Sequence, residues 1–97
     1  MNQYVLRQSV NLRVTFKVNN VLTDPATVTF KMRKPDGTET TYVYLTDVQL
    51  IRDSTGKYHV LVLLDQYGVW WYRYEGTGTA PGATEASLEV IPSQFYS

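Results

Sequence analysis

His59 is the only imidazole among 97 residues, and there is no cysteine. Any triad built on imidazole therefore has one candidate and no thiol to activate, while a working site needs several groups within reach of one another. The residues alternating with His59 on the same strand face are Leu61 and Leu63, so the sequence predicts a solvated strand histidine beside an apolar strip. The carboxylates do no better as metal ligands. Asp36 and Asp53 belong to one set of turns and Asp24, Asp47 and Asp65 to the other, whereas calcium needs ~6–8 oxygens converging on one point. Turn formation already accounts for each of them. Gly76-Thr77-Gly78 follows a strand pattern as a phosphate loop would, but no helix follows it and the lysine of such a loop is missing. The residues predict no catalytic group, no metal and no cofactor.

The remaining residues with binding chemistry are aromatic. Trp71, with Tyr67 and the tyrosines near 42–44, has the makings of a platform that stacks on a sugar or anchors a protein partner. The competing reading is that Trp71 packs across its own sheet. Tyr4, Leu6, Phe95 and Tyr96 lie outside the predicted strands of the core. Either the two ends fold back along edge strands or they reach a neighbouring subunit, to which an open edge offers a place for an added strand.

These residues must be positioned by strands. Apolar residues alternate with polar ones in short runs about ten residues apart, and nowhere recur at helical spacing. Val10 to Phe16 places Val10, Leu12, Val14 and Phe16 on one face. Thr27 to Arg33 does the same with Val28, Phe30 and Met32. Lys34-Pro35-Asp36-Gly37 is a turn, since proline presets φ and glycine accepts positive φ, and Asn19-Asn20 is another. The strand over 38–45 is ambiguous: either Tyr42 and Tyr44 or Val43 and Leu45 face inward. A short strand over 48–52 leads through Asp53-Ser54-Thr55-Gly56 to the stretch around which the chain is organised, residues 56–76. Two β-rich runs there flank Asp65-Gln66-Tyr67-Gly68, which reads as a hairpin. Tyr58, Val60, Val62 and Leu64 face inward on the first run, and Trp70, Tyr72 and Tyr74 share a face on the second. The small residues of 76–84, including Gly78 and Pro81, read as a long loop that is mobile or ordered by contact with something else. A last strand over 85–91 puts Ala86, Leu88 and Val90 inward.

Seven such strands predict an all-β, immunoglobulin-like Greek-key sandwich. Residues 1–97 form one domain, with an amino-terminal arm (1–8), the sandwich (9–92) and a tail (93–97). Asp65-Gln66-Tyr67-Gly68-Val69-Trp70 has the form of the corner before the sixth strand of such domains, with Trp70 where a tyrosine is usual. A corner hydrogen bond would then come from the indole N–H.

Nine basic and nine acidic residues cancel, without a block of either sign. That argues against a nucleic-acid partner, which calls for a basic stripe. No stretch approaches the ~18 apolar residues of a membrane span, and residues 1–7 lack the pattern of a signal peptide. Charged residues are only 19 % against a usual ~25 %, consistent with a surface partly covered by another subunit.

Val14-Thr15-Phe16, Leu22-Thr23-Asp24-Pro25, Thr27-Val28-Thr29-Phe30, Arg33-Lys34-Pro35-Asp36-Gly37-Thr38, Arg52-Asp53-Ser54-Thr55-Gly56-Lys57-Tyr58-His59 and Gly68-Val69-Trp70-Trp71-Tyr72-Arg73-Tyr74-Glu75-Gly76-Thr77-Gly78 occur in that order. In this the chain resembles the small immunoglobulin-like proteins encoded among the head and tail genes of tailed bacteriophages and prophages, over about residues 10–92. The resemblance implies a virion component, either a capsid decoration or cement subunit or a neck, tail or baseplate accessory, made in the host cytoplasm and working by protein contacts with itself or other phage proteins. It brings over no catalytic residue. On that reading the contact residues are Tyr4, Leu6, Leu61, Leu63, Trp71, Gly78, Pro81, Phe95 and Tyr96. A host-surface or carbohydrate-binding module using Trp71 is the alternative.

Overall fold

The computed structural model describes residues 2–92 and has ten strands: β1 (Asn2–Val5), β2 (Ser9–Thr15), β3 (Lys17–Val18), β4 (Val21–Leu22), β5 (Thr27–Arg33), β6 (Glu39–Val43), β7 (Leu50–Ser54), β8 (Lys57–Leu63), β9 (Gly68–Thr77) and β10 (Gly82–Ile91). They form a five-stranded sheet ordered β1-β10-β9-β5-β6, a three-stranded sheet ordered β2-β8-β7, and a two-stranded ribbon, β3-β4. All pairings are antiparallel except β1 with β10.

The alternation read from the sequence is the alternation that fills the core. Leu12, Val14 and Phe16, then Val28, Phe30 and Met32, then Tyr58, Val60, Val62 and Leu64 are buried between the sheets with Trp70, Tyr74, Leu88 and Val90. Burying each large apolar side chain contributes roughly 1.5–3 kcal/mol, so one face of every main strand is committed to the interior. Tyr42 and Tyr44 are the inward pair that the sequence left open: Tyr42 stacks on Phe30 with centroids 6.1 Å apart, and Tyr44 meets Tyr58 edge-on at 5.2 Å. The Tyr74 hydroxyl crosses the sandwich and donates to the Leu12 carbonyl.

Turn chemistry holds where it was strongest. Asn19 and Asn20 have φ of 50° and 66°, the double left-handed turn that joins tightly paired strands. Lys34 N–H donates to Thr38 O (2.9 Å), and the Asp36 carboxylate accepts from Thr38 N–H (2.9 Å). The Trp70 indole N–H donates to Gln66 O at 2.9 Å, so the corner bond forms with tryptophan in place of tyrosine.

Three expectations are corrected. β8 and β9 do not pair as a hairpin: β8 lies in the three-stranded sheet and β9 in the five-stranded one, so 64–67 carries the chain between layers. Residues 76–84 are not a long loose loop, because β9 and β10 stay in register to Gly76↔Gly82 and leave only 78–81 as the turn. Within that turn Ala80 is buried, and Thr79 Oγ1 donates to Asp24 O at 3.0 Å. The strand expected over 48–52 is β7, which starts at Leu50; before it, Asp47 ends β6 by accepting from Val43 N–H through its carboxylate at 2.8 Å.

Candidate functional site

A sandwich has two outer faces, and the register determines what stands on each. On the five-stranded sheet, outward residues align as Ser87, Trp71, Arg33 and Glu39 in one row and Glu85, Arg73, Lys31 and Thr41 in the next. Trp71 is 47 % exposed, so it does not pack away as a large aromatic usually does. Arg33 bonds Glu39 Oε2 through both Nε (3.1 Å) and Nη2 (2.9 Å). Arg73 bonds Glu75 (2.9 Å) and reaches Glu85 (3.6 Å), and Lys31 approaches Glu75 at 3.4 Å. Arg73 and Lys31 hold the Glu75 carboxyl below its ordinary value. Between these rows runs a groove of about 400 Å³, floored by the strands at Met32 and Tyr72, within the ~300–1,000 Å³ span of small-ligand sites.

On the three-stranded sheet, Leu61 and Leu63 are 60 % and 57 % exposed, as their place on the outward side of β8 predicted. Ile51, across from His59, adds to the strip. Beyond Leu63 the strip opens on a second groove, lined also by Leu6, Asp65 and Tyr67. His59 Nδ1 pairs with Asp53 Oδ1 at 2.7 Å, outside both grooves.

The other predicted contact residues divide. Tyr4 and Leu6 are partly buried: β1 lies parallel to β10, and both side chains pack against the chain's own core, with Leu6 also lining the second groove. The first of the two alternatives for that end is therefore the one adopted. Pro81 is exposed. Gly78 sits at φ 81°, and a Cβ there would come within 2.3 Å of Ala26 Cβ, so its role is close packing. Phe95 and Tyr96 lie outside the described residues.

Sequence reasoning missed three features. Leu45 and Val48 stand 87 % exposed in the 44–49 loop, with Leu45 at φ 73°; the loop is set by hydrogen bonds from Thr46 and Asp47 N–H to Val43 O, a geometry no local signal announces. The ion pair of Arg33 and Glu39 spans the turn and was legible only once the register was known. The Asp24 carboxylate, read as a turn former, accepts from Arg52, Gly56 N–H (2.8 Å) and the Tyr58 hydroxyl (3.1 Å). These bonds, the one from Arg52 foremost, hold it down at about 2. Among the described residues no group of three or more His, Cys, Asp or Glu side chains is placed to hold a metal, and no helix is long and apolar enough to cross a membrane.

Together these features define an immunoglobulin-like β-sandwich with two presentable faces. No family model matches the chain, and no curated protein matches it. Among solved structures, a candidate glycoside hydrolase from Bacteroides vulgatus ATCC 8482 matches 96 % of this chain at 13 % identity with a TM-score of 0.62. The chain spans only 17 % of that protein's length. The ZIG-8 IG1 homodimer matches over 95 % of this chain and 78 % of its own, also at 13 % identity, with a TM-score of 0.51. At that identity the likeness establishes the fold and nothing about activity.

Proposed function

We propose that the chain is a non-enzymatic assembly module, a structural component of a tailed-phage virion that works through protein contacts on its outer faces. The phage assignment rests on the resemblance over residues 10–92. The observation that carries the mode of action is the strip formed by Leu61 and Leu63, which continues past Leu63 into the groove beside Tyr67. Two leucines in the middle strand of a sheet whose other face is already buried gain nothing for the monomer by being apolar. Covered by a partner, each returns roughly 1.5–3 kcal/mol.

An enzyme of the glycoside hydrolase kind, suggested by one structural neighbour, has less behind it. That likeness concerns a small part of the neighbour's chain, and His59 with Asp53 faces outward from the sheet away from either groove. Light scattering and co-sedimentation with virions that carry the gene test the assembly reading. The expected result is self-association or particle binding that Leu61→Asp with Leu63→Asp abolishes while leaving the melting temperature unchanged. A strictly monomeric protein that ignores particles refutes it.

A further inference from the structure

We infer that the Trp71 groove on the five-stranded sheet is a binding site for a neutral carbohydrate. Three observations converge on that ligand class, independently of the leucine strip on the opposite face.

The groove contains an indole that remains half in water on a strand whose alternate residues, Trp70 and Tyr74, are fully buried. An exposed indole favours a partner that presents an apolar face. Its surroundings exclude an ionic partner. Lys31, Arg33 and Arg73 are matched by Glu39, Glu75 and Glu85 within 2.9–3.6 Å, so the local charges cancel and neither phosphate nor an ammonium group meets an unbalanced field. The pairing also leaves a particular set of polar atoms. Both Arg33 nitrogens that bond Glu39 use the same oxygen, Oε2. Glu39 Oε1 and Arg33 Nη1 thus have no hydrogen-bond partner among the described residues, and Nη1 points away from the edge that holds Oε2. One row away Arg73 donates through Nε to Glu75 Oε1 and stands 3.6 Å from Glu85 Oε2 through Nη1, an ion pair too long for a direct hydrogen bond.

Donors and acceptors held in place along one neutral groove match hydroxyls, which both accept and donate, better than they match an ion or a lone carbonyl. A molecule with adjacent hydroxyls around its rim, an apolar C–H face and no charge is a pyranose. Trp71 would carry the stacking, with Arg33, Glu39 and Arg73 clamping the rim. The groove's volume accommodates one to a few sugar rings.

The full chain, applied to an array of neutral, sialylated and sulfated glycans, provides the test, with hits titrated by tryptophan fluorescence and calorimetry. The expected outcome is retention of neutral glycans, with Trp71→Ala weakening affinity about tenfold or more. Glu39→Ala keeps the indole and should weaken the same glycans, which non-specific aromatic adsorption would not. Both variants change exposed side chains, and unchanged melting curves show that the fold is intact. Leu61→Asp should leave glycan binding untouched, which separates this site from the assembly surface. Retention of anionic glycans only, insensitivity to Glu39→Ala, or no glycan held above the level of Trp71→Ala overturns the inference. So does an effect of Trp71→Ala confined to self-association, which would make the face a protein contact.

Discussion

Trp70 and Trp71 are adjacent in the chain and opposite in role, because successive side chains on a strand point to opposite faces. Trp70 is 1 % exposed, its indole N–H held by Gln66 O and its ring approached by Lys34 Nζ at 5.5 Å from the centroid. Lys34 in turn pairs with Asp65 at 3.1 Å, so the residue before the corner and the turn after β5 are fastened over the same ring. Trp70→Phe removes the donor, leaves a part-buried carbonyl without it and opens a small cavity; urea unfolding should record a loss of roughly 1–3 kcal/mol. A change within a few tenths of a kcal/mol would mean that the corner bond does not secure the crossing between sheets. This bond was legible beforehand because all its parts lie within a few residues. The Asp24 cluster was not, since its partners Arg52, Gly56 and Tyr58 come from 28 to 34 positions away. Local sequence shows that an aspartate before proline can start a turn; it does not show what the rest of the fold brings to its other oxygen.

At the scale of elements, facing was read well and pairing less so. Alternation reports which residues of a strand are buried whichever neighbour the strand acquires, so β2, β5, β8 and β9 were oriented correctly from the sequence. Pairing depends on the sheet a strand joins. A four-residue polar link between two β-rich runs serves a hairpin and a crossing between layers equally well, and β8 and β9 use it for the crossing. The β9–β10 connection shows the converse error. Small residues over 76–84 look like a loop, yet Gly76 is buried in strand pairing because a Cβ there would meet Phe16 and Pro25 at 2.7 and 2.9 Å. Smallness here is a packing requirement of the layer beneath. Gly78 combines that requirement with φ 81° and the 2.3 Å approach to Ala26. Gly78→Val should therefore cost about 2 kcal/mol or more, from left-handed strain and overpacking together. Hydrogen exchange should show the added opening concentrated in the β9–β10 turn and the adjoining 24–27 segment. An unchanged melting temperature would show that the turn is looser than the packing implies.

For the whole molecule, buried and tethered ionisable groups define a pH window of stability. At its acid edge stands Asp24, whose carboxyl is held at about 2 against an ordinary 3.8, first by the Arg52 hydrogen bond and then by Gly56 N–H. A carboxyl held lower in the folded chain than in the unfolded one favours folding fully above 3.8, and that contribution disappears as pH falls from there toward 2. Asp36, lowered by Thr38 N–H and Gln66, and Glu75, lowered by Arg73 and Lys31, act in the same direction. At the alkaline edge, burial and then the bond to Asp24 push Tyr58 up to about 12 from 10.0, and burial raises Tyr74 and Tyr72. A phenol that ionises later in the folded chain than in the unfolded one loses its stabilising contribution as pH climbs from 10 through 12. The Asp24 carboxylate and the Tyr58 hydroxyl are one contact, 3.1 Å long, so the two edges are coupled through it. Asp24→Asn keeps the shape but removes the charge that binds Arg52. It should lower the melting temperature at pH 7 and flatten the decline between pH 4 and pH 2, because the group responsible for much of that decline no longer titrates. Denaturation profiles of both proteins from pH 2 to pH 12 measure this. Parallel acid limbs in the two would locate the acid sensitivity outside the Asp24 cluster.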